Sequence, residues 1–174
     1  TFKRGGYTVG VKHEFINQGS TSVQPQLYLQ LARDGQAPEG ESSFYFTFTG
    51  PAVYTDAKKF EKIDFKDIEK GKSGHATSAN DGWVAMVQHY FSSAWLVPPG
   101  APREFRTAKV SPNLYSVAMV LPLGEIAPGA SKAHEAMLFA GPQEENKLAA
   151  LAPGLDLVKD YGWFTVLAKP LFWL

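Results

Sequence analysis

The histidines of this chain have the broadest chemistry among its side chains, because imidazole serves both as a general base and as a metal ligand. None of the four stands in a spacing such as His-x-His or His-x-x-x-His, so the sequence predicts no metal site. His13 and His134 each precede a glutamate, but neighbouring strand residues point to opposite faces, so neither pair converges locally. We expect His89 in the core or a cleft. His75 is expected in a flexible loop, a poor position for preorganised catalysis.

Other patterns of catalytic residues are missing. The chain has no cysteine, which excludes disulfides, thiolate metal ligands and cysteine nucleophiles. Neither a Gly-x-Ser-x-Gly elbow nor a phosphate-binding glycine loop occurs. Glu144 and Glu145 fit the first turn of a predicted helix, where negative charge is favourable. Carboxylates that only the fold brings together would leave no such pattern. The sequence therefore predicts no catalytic residue, no metal and no cofactor.

Aromatic residues are abundant, at 13% of the chain. Most aromatic side chains belong to a core, but a groove lined with them can hold a sugar or an extended peptide. The candidates for such a cleft are Trp83, Tyr90 and Trp95.

The C-terminal segment 159–174 is apolar and rich in aromatic residues. A helical conformation would give it one apolar stripe, formed by Trp163, Leu167, Leu171 and Leu174. This stripe suits either a membrane interface or the surface of the domain itself, and Pro170 predicts a bend. Soluble chains seldom end on bulky apolar residues, so we expect the natural protein to continue into a membrane. The candidates for a partner or membrane interface are Trp163, Phe164, Leu167, Leu171, Phe172 and Trp173.

Short alternating segments predict that strands dominate the fold. The predicted strands cover residues 7–15, 27–31, 44–49, 62–65, 105–110, 114–121 and 132–139. The turn 17–20 is expected to join the first two, and Gly50-Pro51 to end the third. The segment 83–97 fits a strand or a helix. One helix is predicted at 142–152, with Pro142 as its first residue and Pro153-Gly154 as its end. The prediction is an all-β sandwich with short C-terminal helices.

Composition places this sandwich among ordinary folded domains. The 174 residues match the size of a single domain, and 44% of them are hydrophobic. The 17 basic and 17 acidic residues cancel, which argues against a nucleic-acid partner. We divide the chain into a β-sandwich domain, 1–158, and an amphipathic helical link, 159–174.

Several motifs resemble the large periplasmic domain of YidC-type membrane protein insertases of Gram-negative bacteria. The match runs in order through most of the chain from Tyr7 to Leu174. Its motifs are Gly82-Trp83-Val84-Ala85-Met86, Tyr90-Phe91, Ala94-Trp95, Gly141-Pro142, Ala152-Pro153-Gly154-Leu155-Asp156-Leu157, Asp160-Tyr161-Gly162-Trp163 and Pro170-Leu171-Phe172. The resemblance implies a galactose-mutarotase-like β-supersandwich with helices at its C-terminal end, followed shortly by a transmembrane helix.

The resemblance also implies a function. The domain would be a non-catalytic, periplasm-facing part of the bacterial inner membrane that supports insertion and folding of membrane proteins. Its implied partners are accessory subunits of the Sec translocon and nascent membrane proteins. The implied fold also hosts aldose epimerases and carbohydrate-binding modules, which is the alternative function. The family's domain is larger than this chain, so a sheet edge without its neighbouring strand is expected.

Overall fold

The computed structural model describes residues 4–36, 47–72 and 74–159. These residues form two antiparallel sheets packed face to face, which confirms the predicted all-β sandwich. The strands are β1 (Thr8–Ile16), β2 (Gln26–Asp34), β3 (Gly50–Thr55), β4 (Lys59–Lys62), β5 (Ser78–Ala79), β6 (Trp83–Val87), β7 (Phe91–Leu96), β8 (Arg103–Ser111), β9 (Leu114–Pro122) and β10 (Ser131–Pro142). The helices are α1 (Phe65–Glu69), α2 (Glu145–Leu151) and a 3₁₀ helix (Leu155–Val158).

The two sheets differ in width. The large sheet has six strands in the order β1-β10-β7-β6-β3-β4, and the small sheet has four in the order β2-β9-β8-β5. The main core lies between them and includes Val53 and Val84 of the large sheet with Val117 and Met119 of the small one. A second core lies on the opposite, outer face of the large sheet, beneath α2 and the 3₁₀ helix. Among the described strands, β1 and β2 each stand at a sheet edge.

The predicted hairpin between the first two strands is wrong. β1 pairs with β10 of the large sheet, whereas β2 pairs with β9 of the small sheet. The buried side chain of Asn17 explains the crossing, because its amide donates to the carbonyls of Thr21 and Ile126 at 2.9 and 2.8 Å. Its backbone carbonyl accepts from Gly129, at 2.8 Å. These hydrogen bonds hold the connection against the distant loop 126–129, so the chain does not turn back onto β1.

The segment 83–97 is neither a single strand nor a helix. It forms the hairpin β6–β7, whose turn is closed by a bond from the Gln88 amide to the Phe91 carbonyl at 2.9 Å. All of β6 is buried, since one of its faces meets the main core and the other the core beneath the C-terminal helices. A strand buried on both faces shows no alternation, so its sequence does not reveal its period.

Two predicted boundaries also differ. Gly50-Pro51 begins β3 and does not end a strand. Of the predicted strand 44–49, residues 44–46 lie outside the described ranges, and residues 47–49 are not part of a strand. Proline is tolerated near the start of a strand, where its missing amide is not needed. β4 ends at Lys62, and Phe65 begins α1 because the Asp64 carbonyl accepts from two amides of that helix.

The predicted C-terminal helix is confirmed, but it begins at Glu145. Pro142 is the last residue of β10, where it pairs with Phe91. Strand pairing therefore prevails over the preference of proline for the first helical turn.

Candidate functional site

The histidines do not assemble a metal site. Within residues 4–36, 47–72 and 74–159, no group of three or more His, Cys, Asp or Glu side chains could hold a metal ion. His75, expected in a flexible loop, is buried instead, with Nδ1 2.7 Å from the Ala76 carbonyl and Nε2 3.2 Å from Thr107 Oγ1. The ring of His89 is bonded through Nδ1 to the Thr47 hydroxyl. Both rings therefore have structural partners.

His13 and His134 form a pair that sequence spacing did not indicate. They lie directly opposite each other on β1 and β10. Both Nε2 atoms are buried, and neither has a hydrogen-bond partner among the described residues. Burial lowers the pKa of His134, and the nearby charges of His13 and Arg103 lower it further. The structure therefore shows two facing rings whose Nε2 atoms have no carboxylate partner among the described residues.

The three candidate cleft aromatics lie in different surroundings. Trp83 is buried on the outer face of the large sheet, stacked on Tyr54 with ring centroids 5.4 Å apart. Trp95 lies on the inner face, where its Nε1 donates to the Gln30 carbonyl of β2 at 3.1 Å. Tyr90 stands in the β6–β7 turn and is 71% exposed. The structure therefore does not bring these three side chains together.

The C-terminal helices pack against the outer face of the large sheet. Leu148 of α2 and Leu155 and Val158 of the 3₁₀ helix are buried in the outer core. Between the helices, the Pro153 carbonyl accepts from Trp83 Nε1 at 3.0 Å. Gly154 adopts φ +69°, and an added Cβ there would lie only 2.2 Å from the Tyr54 ring. We call α2 and the 3₁₀ helix, up to Lys159, the C-terminal junction. These contacts fix its position on the large sheet.

A groove adjoins this junction on the same outer face, and we call it the Met137 groove. Its volume is about 560 Å³. β1, β10 and the end of β7 form its floor, and the last residue of α2 with the two residues after it forms one wall. Its lining residues are Gly10, Val11, Lys12, Leu96, Val97, Pro98, Pro99, Glu135, Ala136, Met137, Leu151, Ala152 and Pro153. The groove is mostly apolar, and Lys12 and Glu135 are its charged residues, facing each other across the β1–β10 pair.

A buried arginine holds the loop after β7, which lines the Met137 groove. Arg103 is 1% exposed, and its guanidinium donates to the carbonyls of Val97 at 3.1 Å and Pro98 at 2.6 Å. Burial lowers the pKa of this group. It also donates to the Gly82 carbonyl at 2.9 Å, so it joins the start of β6 to the loop after β7. No sequence pattern indicates this role of Arg103, because its oxygen acceptors are backbone carbonyls.

The six candidates for a partner or membrane interface lie outside the described residues, as does the whole of 160–174. In the part that the structure describes, none of the helices has both the length and the apolar character needed to cross a membrane. The described residue that precedes that segment is Lys159, whose Nζ lies 3.8 Å from Oε2 of Glu145 at the start of α2.

Comparison with known proteins agrees with the motifs. The family model of the YidC periplasmic domain matches residues 1–174. The chain is 55% identical to the membrane protein insertase YidC of Janthinobacterium sp. (strain Marseille) and 58% identical to that of Cupriavidus taiwanensis, over 174 residues in each case. It is also 55% identical to the same protein of Burkholderia multivorans. The alignments cover 100% of the chain but only 31% of each of these relatives.

Proposed function

Because this chain belongs to the family of YidC periplasmic domains, we propose that it is a non-catalytic, periplasm-facing part of an inner-membrane insertase. It supports insertion and folding of inner-membrane proteins, alone or with the Sec translocon. Its proposed partners are accessory subunits of the translocon and nascent membrane proteins. The family match over the whole chain is the observation that carries this proposal.

The geometry of the C-terminal junction supports a role in placement. Leu148 and Leu155 are fully buried against the large sheet, and Trp83 is bonded to the Pro153 carbonyl between the two helices. The described part of the chain that precedes the link therefore ends in helices packed on the large sheet. We propose that this link meets the membrane or a partner through its apolar stripe.

A paired substitution in the link tests the proposal. Trp163→Ala with Leu167→Ala removes two large apolar side chains from the stripe. In flotation with vesicles of phosphatidylethanolamine and phosphatidylglycerol, we expect vesicle binding of the 174-residue chain to fall by about tenfold or more. In the complete insertase, the same pair should reduce the insertion of a test membrane protein. The melting temperature of the 174-residue chain should change little.

Tyr28→Ala with Val110→Ala provides the matched control. Both residues are exposed, at 49% and 54%, and both belong to the small sheet, away from the C-terminal junction. This control pair should leave vesicle binding and insertion unchanged. If the link variant binds vesicles and inserts the test protein as well as the control variant does, the proposed role of the link is wrong.

A further inference from the structure

Three exposed aromatic side chains lie at one end of the large sheet. Tyr7, Tyr90 and Phe91 are 43%, 71% and 55% exposed. Tyr90 lies in the β6–β7 turn, and Phe91 begins β7. The ring of Tyr7 packs beside them on β10, because a Cβ added to Gly141 would lie 2.5 Å from its Cγ, and Gly141 pairs with Ser92 of β7. We call this end of the sheet, with its three rings, the aromatic end.

The backbone of the β6–β7 turn is held in place by a glutamine that follows β10. The side-chain amide of Gln143 donates to the carbonyls of Gln88 and Phe91, at 2.7 and 3.2 Å. Its backbone amide donates to the Tyr90 carbonyl at 3.0 Å. The Tyr90 ring meets the ring of His89 edge-on, with centroids 4.0 Å apart. A turn held in this way loses little conformational entropy on binding, which favours association through its exposed rings.

The C-terminal junction returns the chain to the aromatic end. α2 begins at Glu145, close to the glutamine that holds the turn. Its last residue, Leu151, lines the Met137 groove together with Pro98, which lies just beyond the opposite end of β7. The 3₁₀ helix then brings the chain back, because Lys159 Nζ lies 3.8 Å from Oε2 of Glu145. The link therefore begins at the same end of the sheet as the β6–β7 turn.

The charges of the junction at this end compensate one another. Lys147 Nζ lies 2.8 Å from Oε2 of Glu144 and 5.5 Å from the centroid of the Tyr7 ring. Lys159 lies beside Glu145 in the same way. These lysines and glutamates therefore add little net charge, and the attraction that the aromatic end offers comes from its exposed rings.

We propose that Tyr90 and Phe91 contact the headgroup region of a lipid bilayer and thereby orient the domain on it. This inference rests on the proposed function, because the link that we assign to the membrane begins at the same end of the sheet. A tyrosine ring favours the boundary between water and hydrocarbon, where the ring is buried and its hydroxyl stays hydrated. The turn and the link together give two points of contact, which restrict rotation of the domain relative to the membrane.

Site-specific fluorescence tests the contact directly, because the natural chain contains no cysteine. Tyr90→Cys and the control Tyr28→Cys each give the 174-residue chain one position for an environment-sensitive fluorophore. Tyr28 is 49% exposed and belongs to the small sheet. The vesicles contain phosphatidylethanolamine, phosphatidylglycerol and a nitroxide-labelled lipid. We expect them to quench the fluorophore of the Tyr90→Cys variant and not that of the control. Equal quenching of both variants would overturn the proposal, and so would the absence of quenching from Tyr90→Cys.

Removal of the two rings measures their contribution to binding. Tyr90→Ala with Phe91→Ala should lower vesicle binding of the 174-residue chain by about tenfold, because less apolar area is removed from water. The control, Tyr28→Ala with Val110→Ala, should leave binding unchanged. The turn accepts its hydrogen bonds through backbone carbonyls, which both substitutions retain. The melting temperature verifies the fold of each variant. Should the pair unfold, Tyr90→Ala alone should lower binding by about threefold.

The outcomes separate this inference from the proposed role of the link. If the turn variant binds vesicles as well as its control while Trp163→Ala with Leu167→Ala loses binding, the contact of the turn is refuted and the link keeps its role. The reverse result supports the contact and refutes vesicle binding by the link. If the turn variant lowers insertion by the complete insertase but leaves vesicle binding unchanged, a protein partner replaces lipid and the proposal is overturned.

Discussion

Replacing Gly154 by alanine should loosen the attachment of the C-terminal helices to the large sheet. Gly154 follows Pro153 with φ +69°, a backbone conformation that side chains with a Cβ disfavour. An added Cβ would lie 2.2 Å from Cε2 of Tyr54 and 2.8 Å from its Cδ2. Tyr54 in turn stacks on Trp83, whose indole binds the Pro153 carbonyl. One methyl group thus disturbs both contacts that hold the junction together.

The expected cost has two parts. The left-handed conformation costs about 1–2 kcal/mol for a residue other than glycine. Carbon atoms in contact are about 3.5–4.0 Å apart, so the Tyr54 ring must move by more than about 1 Å to relieve the clash. Overpacking of this kind costs about 1–3 kcal/mol. Together, the free energy of unfolding should fall by about 3 kcal/mol. For a domain of this size that lowers the melting temperature by about 6–12 °C.

Gly129→Ala is the matched control. Gly129 has φ +74°, close to that of Gly154, but an added Cβ would meet no atom within 4 Å. This control bears the conformational cost alone. In urea unfolding followed by fluorescence, Gly154→Ala should therefore lose about 1–3 kcal/mol more than Gly129→Ala. In a Tyr54→Ala background the excess should disappear, because the obstructing ring is gone. Equal destabilisation by the two glycine variants would refute this reasoning.

Two further predictions concern buried polar groups. The depressed pKa of His134 means that its stabilising contribution is fully present above its ordinary pKa of 6.5 and is lost as the pH falls below that value. Between about pH 7 and pH 5, the free energy of unfolding should therefore fall less for His134→Gln than for the natural chain. Equal decreases in the urea midpoints of the two proteins would contradict this. Arg103→Met leaves the carbonyls of Gly82 and Pro98 without their donor, so the free energy of unfolding should fall by about 2–4 kcal/mol. Arg106→Met, at an exposed ion pair with Glu104, should cost less than about 1 kcal/mol, and equal costs for the two arginine variants would show that the buried bonds contribute little.

Strand positions could be predicted where the two faces of a strand meet different surroundings. β1 alternates between half-buried and exposed residues, and β2 buries Leu27 and Leu29 while exposing Tyr28. The hydrophobic effect acts on each of these residues separately, so the pattern is local and visible in the sequence. The hairpin 83–97 lacked this contrast, because β6 is buried on both faces.

The candidate site was predictable only in its motifs. The quoted motifs predicted the family, and the family model over residues 1–174 confirms it. The aromatic ring of Trp83 makes it a candidate in the sequence, but its surroundings depend on Pro153, which lies 70 positions away in the chain. The Met137 groove brings together Gly10, Leu96 and Pro153 from three distant segments, and no residue spacing in the sequence indicates it.

The sequence by itself therefore determined the strand-rich class, the absence of thiol chemistry and the family. These depend on residue types and on short-range periodicity. Tertiary structure alone decided that β1 and β2 enter different sheets, that His13 faces His134, and that an apolar groove remains beside the C-terminal junction. The physical reason is that strand pairing and side-chain packing join residues far apart in the chain. Their contacts are fixed by register and by mutual burial, which no local pattern encodes.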